Sequence, residues 1–254
     1  MRIKVLGASG SDVPGRKLSS FLLNSKILFD AGGVTGSLSL KAQQKIEHIF
    51  ITHAHLDHIR DIPFLADNMI LGGKSKQINI FSIKEVVDDI KKHLLNHRLW
   101  PDFTVIPNAH ESILKVKILK EEGFIRVNGY RITAYRMNHT VPAVGYLVEK
   151  DGKSFFYTGD TGSVPETWKK LADKHLDALI IEVSFPNTMK DLAIKTGHLT
   201  AQLLFEDLMI FNHPPEKIFI THVKPFYRHE IERDLKGYSR YRVKILNGGE
   251  TIKI

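Results

Sequence analysis

Strand-length apolar runs arranged in groups, with amphipathic stretches gathered between them, predict an α/β fold in which sheets and helices form a layered sandwich rather than one parallel sheet. Two further observations support this reading. Apolar residues make up 43% and charged residues 25% of the 254 residues, ordinary values for a chain that folds throughout. No Pro/Gly/Ser-rich linker, low-complexity tract or solenoid-length repeat interrupts it, so a single domain over residues 1–254 is expected.

The elements follow in order. "RIKVLG", "SSFLLN" and "KILFDAG" read as strands, the last two so close together that they form a hairpin, and Gly32 and Gly33 mark the turn after them. "IEHIFIT" is a buried strand, and "HIRDIPFLADNMIL" has helical spacing. "INIFS" is a further strand. In "IKEVVDDIKKHLLN", Ile83, Val86, Val87, Ile90 and Leu94 share one helical face. "RLWPDFTVIPNAHES" is a loop, after which "LKVKIL", "YRITAYRM", "AVGYLVEK" and "KSFFYTGD" are strands. "PETWKKLAD" is a helix with Pro165 in its first turn. "LDALIIEVSF" is the most apolar strand. A helix from about Thr200, the strand "EKIFITHV", the basic helix "RHEIERDL" and the strands "RVKIL" and "TIKI" complete the chain.

Composition narrows the chemistry. With no cysteine, disulfides, thiolate nucleophiles and Cys-based zinc sites are excluded, and any metal must be held by nitrogen and oxygen. No apolar run approaches the roughly 18 residues of a membrane span, and the start goes straight into a strand, so a cytoplasmic protein that does not engage a membrane is expected. The formal charge of +8 suits an anionic substrate or a nucleic acid, but the positive residues are scattered and equally describe a solvated surface.

The densest feature is "ITHAHLDHIRD", residues 51–61, in which His53, His55, Asp57 and His58 follow an apolar strand at its junction with a helix. Residues two apart on extended backbone point the same way, so His53 and His55 can reach one cavity. Imidazole and carboxylate donors suit zinc-type divalent ions. His139, Asp160 and His222 each come just after a strand-like run, and a carboxylate such as Asp160 can bridge two cations. His48, His93, His97, His110, His175 and His213 have no such setting and are expected to be structural or exposed.

A second stretch, residues 180–208, ends an apolar strand at Glu182 and places His198 before a helix capped by Thr200. An acid beside a histidine holds the ring in one tautomer and favours its protonated form, which makes His198 a candidate general acid. The same residue also suits simple decoration of a helix start.

The sequence resembles the metallo-β-lactamase-superfamily hydrolases, whose His-x-His-x-Asp-His motif is followed by a distant His, an Asp and a last His. That resemblance implies a four-layer αββα sandwich with two divalent ions, Zn²⁺ first, with Mn²⁺ or Fe²⁺ as alternatives. It assigns His53, His55 and His139 to one ion, Asp57, His58 and His222 to the other, and Asp160 to the bridge. Within the superfamily, Glu182, Ser184, Phe185 and Asn187, then Gly197 to Thr200, with "LNHRLWPDF" and "THVKP", resemble class II 3′,5′-cyclic-nucleotide phosphodiesterases. Asp61 departs from the superfamily motif, which usually carries Gly there. The resemblance implies a homodimer that takes a small anionic nucleotide, with Asp57, His198 and Glu182 as catalytic residues. The mechanism this resemblance implies is in-line attack by hydroxide on the cyclic phosphate, with His198 protonating the departing 3′ oxygen. The alternative is a ribonuclease Z-like tRNA 3′-processing endonuclease of the same superfamily, for which nucleic acid is the substrate.

Overall fold

The computed structural model describes residues 1–71, 77–238 and 241–254. One sheet contains β1 (Arg2–Gly7), β2 (Ser20–Leu23), β3 (Ile27–Phe29), β4 (His48–Phe50), β5 (Ile78–Ser82) and β6 (Leu114–Ile118), with the last strand of the chain, β14 (Thr251–Lys253), on the β1 edge. The other contains β7 (Phe124–Val127), β8 (Tyr130–Met137), β9 (Ala143–Lys150), β10 (Lys153–Tyr157), β11 (Ala178–Glu182), β12 (Ile218–Thr221) and β13 (Val243–Ile245), in chain order across the sheet. In the first sheet β14, β1, β2 and β3 pair antiparallel, and β3 to β6 pair parallel. In the second, β7 to β10 pair antiparallel and β10 to β13 parallel. Each sheet is therefore an antiparallel half followed by a parallel half.

The sheets face each other through aromatic side chains that alternate inward along their strands. Phe29 packs on Phe155 at 5.9 Å between ring centroids, Phe50 on Tyr146 at 5.4 Å, and Phe21 on Tyr157 at 5.0 Å. The helices form the outer layers. On the first sheet lie α1 (Leu40–Gln43), α2 (Leu56–Ile59), α3 (Ile62–Leu71) and α4 (Lys84–Asp89), which bury Ile62, Leu65, Met69 and Val86. On the second lie α5 (Pro165–Leu171), α6 (Lys190–Thr196), α7 (Ala201–Leu208) and α8 (Arg228–Lys236), which bury Trp168, Leu204, Phe205 and Ile231. The layered α/β sandwich read from the sequence is the observed architecture.

Differences from the expected elements have local causes. The helix predicted over 83–96 runs as α4 and then a single π-helical turn, Ile90–Leu94. β7 was not anticipated; it is a half-buried four-residue edge strand. The Asn128–Gly129 turn that joins it to β8 has positive φ at both positions, the hairpin signature that would have announced it. α6 was also missed, although Gly197, at φ 67° as its C-cap, is its stop signal. The β2–β3 hairpin was expected, and Asn24 and Ser25 turn it with φ of 45° and 63°. Of the basic stretch between Arg228 and Arg242, Ser239 and Arg240 lie outside the described residues. No helix among the described residues is long and apolar enough to cross a membrane.

Candidate metal centre

The site residues come from the C-terminal ends of strands in both sheets. The turn after β4 carries His53, His55, Asp57 and His58; the end of β8 is followed by His139, that of β10 by Asp160, and that of β12 by His222. β8, β10 and β12 run the same way, so their ends share one edge of the second sheet. Gly32 lets the turn come close: a Cβ there would stand 1.8 Å from the Asp57 carbonyl oxygen.

All seven expected residues meet. One group, His53, His55 and His139, and a second, Asp57, His58, Asp160 and His222, each bring their donor atoms within 4.8 Å of one another. His139 Nε2 lies 3.1 Å from His55 Nδ1, and His222 Nε2 lies 3.2 Å from Asp57 and 3.3 Å from Asp160. Asp160 Oδ2 also stands 3.9 Å from His53 Nε2, so its carboxylate faces both groups.

The surrounding contacts decide which nitrogen of each ring is free. Thr52 Oγ1 donates to Asp30 and stands 3.0 Å from His53 Nδ1, leaving the hydroxyl to accept from that ring. His58 Nδ1 bonds Asp30 Oδ2 at 2.7 Å, and His139 Nδ1 donates to the Gly197 carbonyl at 2.8 Å. His222 Nδ1 meets Ser184 Oγ at 2.8 Å, and that hydroxyl donates to Glu182 at 2.6 Å. Four rings thus turn Nε2 inward, with the second nitrogen held as metal-ligating histidines require. His53 Nε2, His58 Nε2 and Asp160 Oδ1 are buried without a hydrogen-bond partner. Orphaned polar atoms of this kind, converging on one cavity from a nitrogen and oxygen donor set, fit a pair of divalent cations.

Electrostatics agrees with that donor set. Burial pushes the His53 imidazole well below its usual range, and burial also lowers His55 and His139, so these three favour the neutral, ligating form. Burial opposes ionisation of Asp160, yet His222 and His58 beside it hold the carboxyl well below the usual carboxylate range. Burial likewise opposes charge on His58, but Asp160 and Asp30 outweigh it and raise the ring well above normal. A cation would occupy the place of the proton those two carboxylates attract.

Beside the centre, His198 Nδ1 donates to Glu182 Oε1 at 2.5 Å, and Glu182, fully buried, also accepts from the Thr161 and Leu199 amides at 3.1 and 3.4 Å. Burial works against a charged His198, but the Glu182 carboxylate prevails and raises it. A donor atom of His198 lies within 4.8 Å of those of His139 and Asp160. The ring therefore borders the site instead of decorating a helix start; Thr200 caps that helix by accepting from the Leu203 amide.

Two supporting residues, Asp30 and Thr52, escaped the sequence, as did the supporting role of Ser184, noted there only for its resemblance. Asp30, fully buried, accepts from the Thr52 amide at 2.8 Å and the Tyr157 hydroxyl at 2.6 Å as well as contacting His58. Thr52 and Ser184 act as relays. Asp30 could have been suspected only from an acid closing the apolar run "KILFD". Asp61, the departure from the motif, is buried and accepts from the Thr35 amide and hydroxyl at 2.8 and 2.9 Å, so it pins the neighbouring loop that a glycine would leave unbonded. His175, expected to be structural or exposed, lies at the surface with Glu216, beside the buried Asp177, which is already paired with Lys153.

A model of the beta-lactamase superfamily domain matches residues 26–222, and the chain belongs to that superfamily. Among its relatives, a probable 3′,5′-cyclic-nucleotide phosphodiesterase of Yersinia pestis is 28% identical over 211 residues, spanning 73% of this chain and 59% of that protein. A ribonuclease Z of Archaeoglobus fulgidus is 25% identical over 89% of this chain and 88% of its own length. The crystal structure of unliganded yeast PDE1 superposes with a TM-score of 0.85 over 100% of this chain and 99% of that one, at 20% identity, and so shares the fold.

Proposed function

We propose that the chain hydrolyses 3′,5′-cyclic nucleotides, cyclic AMP or cyclic GMP, to nucleoside 5′-monophosphates. The observation that carries this reading is the Glu182–His198 pair, a buried carboxylate 2.5 Å from a histidine at the edge of a seven-residue donor cluster. His53, His55 and His139 would hold one divalent ion and Asp57, His58 and His222 the other, with Asp160 between them. Zn²⁺ best suits these donors, with Mn²⁺ and Fe²⁺ next. Two such ions, when bound, lower the pKa of a water and offset the charge on phosphoryl oxygens. His198 keeps a proton on Nε2 and gives it to the departing 3′ oxygen. Glu182 fixes that ring and stabilises its charged form, while Asp57, depressed by the His222 and His58 rings despite burial, stays ionised. A cytoplasmic homodimer belongs to the same reading.

Processing of tRNA 3′ ends is the second reading, supported by the larger share of the chain that the Archaeoglobus relative covers and by the +8 charge. The segment between His139 and Asp160 is taken up by the β9–β10 hairpin. The experiment is to incubate metal-loaded protein with cyclic AMP, cyclic GMP, a 2′,3′-cyclic nucleotide and precursor tRNA side by side. Turnover of the 3′,5′-cyclic nucleotides, reduced about 10²-fold or more in His198→Ala, is expected. Cleavage of precursor tRNA with no turnover of either cyclic nucleotide overturns the proposal in favour of the second reading.

A further inference from the structure

Behind the turn that carries His222 lies a cavity of about 350 Å³, lined by Ser9, Arg16, Lys17, Arg228, Asn247 and Gly248 among others, with no carboxylate in its wall. We propose that it is a phosphate-binding site distinct from the metal centre, an inference that rests for its occupant on the proposed cyclic-nucleotide substrate.

Charge is the first argument. Arg16 is half-buried, Lys17 exposed, and neither pairs with an acid among the described residues. The Arg228 side chain is only 19% exposed, and its Nε meets Glu232 at 2.8 Å. Arg16 and Arg228 thus border one cavity whose wall holds no carboxylate, and an anion between them would relieve the repulsion of their guanidinium groups. Guanidinium forks match phosphate oxygens in geometry as well as charge.

Volume and position supply the rest. The cavity falls at the small end of the range for ligand pockets, enough for a phosphate with part of a sugar. Its walls include Ala8, Ser9 and Val223, and these same segments hold the His222 backbone: the His222 amide donates to the Ala8 carbonyl at 2.9 Å, and the Gly10 amide to that of Val223 at 3.2 Å. A 3′,5′-cyclic nucleotide has one phosphate, which the metal centre would engage. The occupant is therefore a second phosphate, either a free one, inorganic or on a nucleoside monophosphate, or one in the backbone of a longer nucleic acid.

The test is a titration of the metal-loaded, full-length protein with inorganic phosphate, read by the amide signals of Gly15, Asn247 and Gly248 in a ¹⁵N spectrum, with chloride at equal ionic strength as control. Saturable shifts are expected with phosphate alone, weakened about tenfold or more in Arg16→Gln and in Arg228→Gln and partly restored in Arg16→Lys. Arg16 sits on a surface loop, so an unchanged melting temperature for Arg16→Gln excludes misfolding as the cause. Equal shifts with chloride, or unweakened phosphate binding in both Gln variants, overturn the proposal. Parallel titrations with adenosine 5′-monophosphate and a short single-stranded RNA separate the sources: affinity equal to that of phosphate assigns a free ligand, and tighter, salt-sensitive RNA binding lost in Arg16→Gln assigns a nucleic-acid backbone.

Discussion

Asp30 shows how much of the centre rests on a residue that could touch no ion. Its carboxylate serves the Thr52 amide and hydroxyl, the Tyr157 hydroxyl and the His58 ring, all buried. Asp30→Ala would strand these donors, so a loss of about 3 kcal/mol in urea denaturation and a 10- to 100-fold weaker metal affinity by competitive chelator titration are expected. Side-chain chemistry made four of the seven clustered residues legible in the sequence, because few demands other than metal binding crowd three His and an Asp into six residues, whereas His139, Asp160 and His222 stood out only as residues after strand-like runs until the family resemblance assigned them to the ions. Asp30 was not legible: one acid at a strand end looks the same whether it caps a turn or supports an imidazole. The Glu182–His198 pair allows a sharper test. Glu182 raises the His198 pKa, so the protonated ring persists to higher pH, and activity that needs it is lost as pH rises through that raised value. In Glu182→Gln the alkaline limb of the kcat profile should move to lower pH, and in His198→Ala it should vanish. An unmoved limb would remove His198 from the chemistry.

At the level of elements, strands were easier to read than their supports. β1, β5, β8 and β12 announce themselves by apolar period, whereas β7 and α6 are short and half exposed, and their signals lie in Asn128–Gly129 and Gly197, residues that form the turns. The seating of α5 against α7 was equally hidden. Asp207 of α7 accepts from the Trp168 indole at 2.6 Å, the Val164 amide at 3.1 Å and the Ser163 hydroxyl, which ties the start of α5 to its neighbour. Burial nonetheless raises the Asp207 carboxyl above its ordinary value. The folded state then binds a proton more readily than the unfolded one. This contribution to stability is fully present below the unfolded pKa and is lost as pH rises through the folded one. Asp207→Asn should flatten that slope, measured by urea denaturation across the acid range, and a slope identical to the parent would refute the assignment.

Across the whole molecule, the donors divide between the sheets: the turn after β4 belongs to one, and His139, Asp160 and His222 to the other. Ions bound there join the two halves, so removing them should loosen the pairing. With free metal at about 1,000 times its dissociation constant, the linkage is worth about 4 kcal/mol, and chelation should lower the melting temperature by about 10 °C in calorimetry. An unchanged melting temperature would mean that the cluster holds no ion.

The matching order of the sheets also sets β3 of one against β10 of the other, each the strand where antiparallel pairing gives way to parallel. Asp30 follows β3 and Asp160 follows shortly after β10, and the imidazole of His58 is contacted by both, Asp30 at 2.7 Å from Nδ1 and Asp160 at 3.3 Å from Nε2. Equivalent corners of two alike halves thus grip a single ring from opposite sides, Asp30 at Nδ1 and Asp160 at Nε2. A change that exchanged the two carboxylates' surroundings would leave composition untouched and still dismantle the division of labour between scaffold and chemistry.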